Sequence, residues 1–163
     1  MPIHPLDPVW DRHSRVLVLG SFPSVRSREI GFYYAHPQNR FWPVLADVFG
    51  ESIPRTTQER KAFALCHGVA LWDVIASCEI TGSSDASIRN VVPNDIASLL
   101  KQSAITHILC NGKRAHDLYM RFCAPVTGVA AALLPSTSAA NAAWPLPKLA
   151  EAWAPFLLRV SAD

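Results

Sequence analysis

Apolar residues in this chain fall into short unbroken runs, and the stretches between them repeat apolar residues at helical spacing. Arg15-Val-Leu-Val-Leu19, ending at Gly20, reads as a strand, and so do the runs at 68–72, 105–110 and 129–134. These runs lack polar alternation, which marks strands covered on both faces. Residues 39–49 place Phe41, Leu45, Val48 and Phe49 on one helical face, with Gly50 as a stop. Residues 56–66 predict a second helix, capped by Thr56 or Thr57 with Glu59 near the third position of the first turn. Further helices are expected over 93–102, 112–122 and 146–158. Strand and helix alternate four times, which predicts an α/β fold, a three-layer α/β/α sandwich around a four-stranded parallel sheet. Residues 1–14 read as an entry segment to one domain spanning 1–163, 20–38 as a long loop, and 77–92 as polar and irregular. Ligands of such sheets bind beyond the carboxyl ends of the strands. The polar segments 20–24, 73–87, 111–114 and 135–141 should therefore gather at one edge.

Composition narrows the class. Half of the 163 residues are hydrophobic, enough for one sizeable core. The net charge is +2, with a pI near 8.4. That balance permits contact with nucleic acid without demanding it, and a protein that wraps nucleic acid indiscriminately would be more basic. Cys66, Cys78, Cys110 and Cys123 form no C-x-x-C pair and match no zinc or iron–sulfur spacing. They read as reduced, buried, structural thiols of a cytosolic protein, and no metal is expected. There is no signal-peptide pattern and no apolar run long enough to span a bilayer, so the expectation is a cytoplasmic protein without a membrane partner.

Four segments offer chemistry. Gly20-Ser-Phe-Pro-Ser24 follows the first strand, where glycine permits close approach and Ser21 and Ser24 supply hydroxyls. Phe32-Tyr33-Tyr34-Ala35-His36-Pro37-Gln38-Asn39 crowds aromatic and amide side chains into a loop, composition suited to a planar ring such as an unstacked nucleobase. Asn39 also reads as a plain helix cap. Ser136, Thr137 and Ser138, with Asn141 just beyond, follow the fourth strand and offer hydroxyls to phosphate oxygens. Asn111-Gly-Lys113-Arg114 opens a helix as an anion site or as an ordinary solvated terminus.

In their order and spacing, Gly20-Ser-Phe-Pro-Ser24, the stretch from Phe32 to Pro43 and Leu134-Pro-Ser-Thr-Ser138 resemble the uracil-DNA glycosylase superfamily. Within it they are most similar to the hypoxanthine (deoxyinosine) DNA glycosylase branch. The resemblance implies a cofactor-free, monofunctional and monomeric enzyme that releases a deaminated base from DNA in base excision repair. It implies Asn39 as the catalytic residue and Ser21, Phe22, Tyr33, Tyr34, His36 and Asp73 around the base. From the residues themselves, Ser24, Lys113, Ser136, Thr137, Ser138 and Asn141 are expected as DNA contacts. Phe22 stands where the mismatch-specific branch has a water-positioning Asn. Leu134 stands where fast uracil enzymes have a His that stabilises the departing anion, a large catalytic contribution. Ala140 stands where several branches insert a bulky wedge. These departures point away from uracil and toward bases that already pair weakly.

The expected mechanism lengthens the C1′–N bond toward an oxocarbenium-like sugar. Tyr34 stacks on the base, Asp73 accepts its ring N–H, and the Asn39 carbonyl orients a water. His36 is a further candidate donor to the leaving purine. No lysine stands in the three family motifs, which argues against a Schiff-base step. Alternatives are a mismatch-specific uracil or thymine glycosylase, a catalytically silent nucleic-acid-binding module of the same fold, and a flavodoxin-like domain, which would carry a richer phosphate loop after the first strand.

Overall fold

The computed structural model describes residues 6–22, 25–79 and 89–161. Four parallel strands form the central sheet in the order β2-β1-β5-β6: β1 (Val16–Gly20), β2 (Val69–Asp73), β5 (His107–Asn111) and β6 (Ala131–Leu134). β1 is buried along its whole length and pairs with β2 from Val16–Val69 to Gly20–Asp73, and with β5 from Val16–His107 to Leu19–Cys110. β6 completes the sheet, pairing Asn111 with Leu134. The carboxyl ends Gly20, Asp73, Asn111 and Leu134 therefore lie along one edge. The chain leaves β1 toward β2 on one side and reaches β5 on the other, which makes the top of β1 and β5 the switch point of the sheet.

The helices sort onto two faces because strand side chains alternate. Val16, Val18, Val69, Leu71 and Leu109 face a core built with α2 (Phe41–Phe49), α3 (Thr57–Cys66) and α7 (Leu146–Ser161). Its largest buried side chains are Trp42, Trp153 and Phe41. Leu17, Leu19, Ala70, Ile108 and Cys110 face the opposite core with α4 (Ile96–Gln102) and α5 (Lys113–Phe122). Thr56 caps α3 by accepting from the Glu59 amide at 3.0 Å, and Asp95 caps α4 by accepting from Ser98 at 3.1 Å. The three layers match the architecture expected from the pattern.

Three stretches depart from the sequence reading. The loop at 20–38 contains a short helix, α1 (Val25–Ile30), which has no long apolar stripe to announce it. Within the stretch at 77–92, β3 (Ile75–Glu79) and β4 (Arg89–Pro93) pair antiparallel with register shifts, so no regular alternation marks them, and residues 80–88 lie outside the described residues. A four-residue helix, α6 (Ala124–Thr127), closes the turn after α5. The entry segment is tied down: Val9 and Leu71 exchange two backbone hydrogen bonds of 2.9 Å, extending the sheet edge beyond β2. Cys110 and Cys123 are buried thiols, whereas Cys66 is exposed on α3, which corrects the expectation of burial for it. Among the described residues, no helix is long and apolar enough to cross a membrane.

Candidate active site

The floor of the site is the top of β1 and β2. Gly20 and Asp73 are register partners, and a Cβ on Gly20 would lie 2.5 Å from Asp73 Oδ1 and 3.4 Å from the Tyr34 hydroxyl. Only glycine lets the carboxylate and the phenol converge there. Asp73 is 4% exposed. Tyr34 is half-buried, stands at φ 52°, and stacks one ring face on Phe41 at 4.1 Å. Its hydroxyl is buried beside Asp73, with Asn111 close enough to favour its ionised form but no neighbour in full hydrogen-bond geometry. Burial first, and the Asp73 carboxylate second, push its pKa above the ordinary phenol range.

Asn39 lies just before α2, where its side chain is held from two directions. Asn39 Oδ1 accepts from the Phe41 amide at 2.9 Å and from the Thr137 hydroxyl at 2.8 Å. The Thr137 oxygen in turn accepts from Asn111 Nδ2 at 3.0 Å, and Asn111 Oδ1 accepts from the Thr137 amide at 3.0 Å. Backbone N–H groups can only donate, so both side-chain amides have one orientation. The three side chains thus form a directed chain across the strand-end edge, Asn111 to Thr137 to Asn39. Thr137 is 0% exposed. This corrects its expected role as a phosphate contact, because its hydroxyl is spent inside the protein.

Arg40 ties the two loops together. Its backbone N–H and Nε donate to the Thr137 carbonyl at 3.0 and 3.3 Å, and Nη2 donates to the carbonyls of Ser138 at 2.7 Å and Asn141 at 3.1 Å. Nη1 donates to the Trp144 carbonyl. The loop after β6 is therefore wrapped around one guanidinium. Within it, Ser136 Oγ accepts from the Ser138 amide and Ser138 Oγ from the Ala140 amide, each at 3.2 Å, so each hydroxyl keeps a proton to donate. Asn141 turns inward, Nδ2 donating to the Ser136 carbonyl at 3.0 Å, which spends one of its two N–H donors on the loop. Gly112, at φ 96°, lets this loop pass: a Cβ there would meet Ser136 Cβ at 3.2 Å.

The remaining expected residues divide. Ser21 and Phe22 follow Gly20 at the same edge, half-buried, with the Ser21 carbonyl accepting from Ile75 at 3.0 Å. Ser24 lies outside the described residues. Tyr33 is turned into the core, 2% exposed, and its hydroxyl donates to the Asp7 carbonyl at 2.9 Å, so it supports the loop from behind. Burial raises its pKa as well. Lys113 is exposed and paired with Asp117 at 2.6 Å. His36 is exposed, and its Nδ1 accepts from the Gln38 amide at 3.1 Å. It opens onto a cleft of about 380 Å³ walled by Asn39, Trp42, Ile53, Arg55 and Arg60. Two residues were not singled out from sequence. Arg40 had no signal beyond its place next to Asn39. Asn111 was visible only as the start of an anion-site pattern.

Along its length the chain also matches known proteins. The model of the uracil DNA glycosylase superfamily matches residues 8–157. The chain is 32% identical over 137 residues to a hypoxanthine DNA glycosylase of Methanosarcina acetivorans, covering 82% of this chain and 84% of that protein. It is 33% identical over 113 residues to a hypoxanthine DNA glycosylase of Methanosarcina barkeri, covering 68% and 71%. Its fold is similar to that of a candidate uracil DNA glycosylase from Methanosarcina acetivorans solved by solution NMR. That match has a TM-score of 0.81 and 26% identity, over 95% of this chain and 96% of the other. Matched in sequence and in fold over nearly its whole length, the chain belongs to the uracil DNA glycosylase superfamily.

Proposed function

We propose that the protein is a monofunctional DNA glycosylase that hydrolyses the N-glycosidic bond of deoxyinosine, releasing hypoxanthine from DNA. The observation that carries this reading is the rigid presentation of Asn39 at the strand-end edge, on the same rim as Tyr34 and Asp73. Its likeness to two hypoxanthine DNA glycosylases supports the choice of base. The extruded nucleotide enters between the loop after β1 and the loop after β6. Tyr34 offers the flat ring, backed by Phe41, and Phe22 an apolar wall. Asp73 accepts the ring N–H that hypoxanthine carries and adenine lacks. Ser136 and Ser138 donate to backbone phosphates.

Bond breaking leads, and the sugar develops oxocarbenium character. Such a centre asks little basicity of its nucleophile, and a water held at C1′ suffices. Asn39 supplies position rather than proton abstraction, because an amide has no useful pKa. The enzyme acts as a monomer inside the cell, on chromosomal DNA, with no cofactor. Leu134, buried at the end of β6, offers no hydrogen bond to a departing uracil anion, which weighs against a uracil or thymine enzyme.

The test is single-turnover base release from duplexes that differ only in one lesion: hypoxanthine, uracil, xanthine or none. Release from hypoxanthine well above uracil is the expected result. Uracil released faster would move the protein to another branch, and binding without release from any duplex would make it a silent module. Asn39→Ala should lower release about 100-fold or more while DNA affinity holds. Unchanged single-turnover release would remove Asn39 from the mechanism.

A further inference from the structure

Asn39 Oδ1 accepts two hydrogen bonds, the full complement of an amide carbonyl. The expectation that this carbonyl orients the water therefore meets an occupied acceptor. What Asn39 has left to offer is its Nδ2 amino group. The direction of the chain behind it explains why. Asn111 Oδ1 is committed to the Thr137 amide, so Nδ2 is the atom that meets the Thr137 hydroxyl. That hydroxyl, having accepted from Asn111, sends its single proton to Asn39. All of this takes place around a threonine sealed from solvent, where each bond is stronger than in water and an unmade one is costly.

We infer that Asn111 and Thr137 are positioning residues that fix Asn39 with its carbonyl turned inward and its amino group toward the sugar, so that the attacking water is held as a hydrogen-bond acceptor. This inference rests on the glycosylase reading. One lone pair of the water accepts from Asn39 Nδ2 and the other faces C1′. The C1′–N bond breaks with its electrons leaving on the base, and the water oxygen bonds to C1′. The water then gives one proton to solvent, and the departing base takes one up. The arrangement suits a late, weakly demanding nucleophile. It would serve badly if the water had to be deprotonated first.

Two sets of variants test this in single-turnover base release on a deoxyinosine duplex, with DNA affinity measured alongside. Asn39→Asp keeps the inward oxygen and replaces the outward donor by an acceptor. Release should fall as far as in Asn39→Ala, whereas retained or increased release would show that Asn39 works as an acceptor and overturn the assignment. Thr137→Val removes the hydroxyl at constant shape and should cost about tenfold to 100-fold in rate with little change in DNA affinity. Thr137→Ser should restore most of it. Asn111→Asp removes the donor that sets the direction and should resemble Thr137→Val. In an Asn39→Ala background, Thr137→Val should cost nothing more, since it acts through Asn39. Additive losses would overturn the inference, as would full rates in folded Thr137→Val and Asn111→Asp, checked by circular dichroism. A wild-type protein that released no base at all would instead sink the glycosylase reading itself.

Discussion

Tyr34 carries two features that cost stability in a folded chain: a positive φ at a non-glycine residue and a buried hydroxyl without a hydrogen bond. Such strain is tolerated where the surrounding structure imposes it, and here Phe41 stacks on the ring while Gly20 leaves room for the phenol. Tyr34→Phe keeps the stacking ring and removes the orphaned oxygen. The urea midpoint of Tyr34→Phe should be unchanged or higher, by up to about 1–2 kcal/mol in stability. A loss of more than that would mean the hydroxyl is paired within the folded protein. At this scale little of the site was readable in advance. Tyr33 and Tyr34 are neighbours of the same type, yet one hydroxyl turns to Asp7 and the other to the rim, because the backbone at Tyr34 enters the left-handed region.

At the scale of elements, the loop after β6 is short on structure of its own and depends on Arg40. A guanidinium that donates to four carbonyls of one loop does the work that a helix or hairpin would do elsewhere. Arg40→Ala should cost about 2–4 kcal/mol in chemical denaturation and speed hydrogen exchange across 135–144. Arg40→Lys should recover only part, since an ammonium cannot reach that spread of acceptors. Wild-type exchange rates in the Arg40→Ala protein would show that the loop holds itself. The strands and long helices were legible because their apolar spacing is long enough to read. α1 and the β3–β4 pair were not: α1 is only six residues long, and the register shifts between β3 and β4 leave no regular alternation.

Across the whole molecule, the mild positive charge matters by where it is left unpaired. Lys113 is paired with Asp117 and Arg40 is spent on carbonyls, whereas Arg55 stands exposed in the cleft beside Asn39, its backbone N–H donating to Glu59 and its guanidinium in no ion pair among the described residues. Arg55→Gln should weaken binding to undamaged duplex and reduce the slope of log affinity against log salt by about 1, the release of one phosphate contact. An unchanged slope would place the DNA elsewhere. The second core also gives the fold an alkaline limit. Burial pushes the Cys110 thiol from 9.0 up to about 12 and the Cys123 thiol to about 11. The native state holds these protons longer than the unfolded chain, so their contribution is complete below pH 9 and lost as pH rises toward 11–12. Denaturant midpoints should decline over that window, and replacing both cysteines with alanine should flatten the decline. In native protein at neutral pH, Cys66 should react with a thiol reagent while Cys110 and Cys123 resist.

The sequence by itself determined the layered α/β architecture, because unbroken apolar runs and helical spacing are local patterns that backbone geometry converts directly into strands and helices. It also gathered the candidate segments at one edge, since the strand ends of a parallel sheet must emerge on the same side. Motif order and spacing singled out Asn39, Tyr34 and Asp73 as candidates, and the fold brings all three to that edge. Only the tertiary structure decided which hydroxyls face outward and which are consumed within. Thr137, Ser136 and Ser138 are equivalent in a sequence, but Thr137 lies under the loop, between Asn39 and Asn111, residues 98 and 26 positions away from it. Hydrogen-bond direction across such separations depends on which backbone donors the fold brings alongside each amide. No local pattern carries that information.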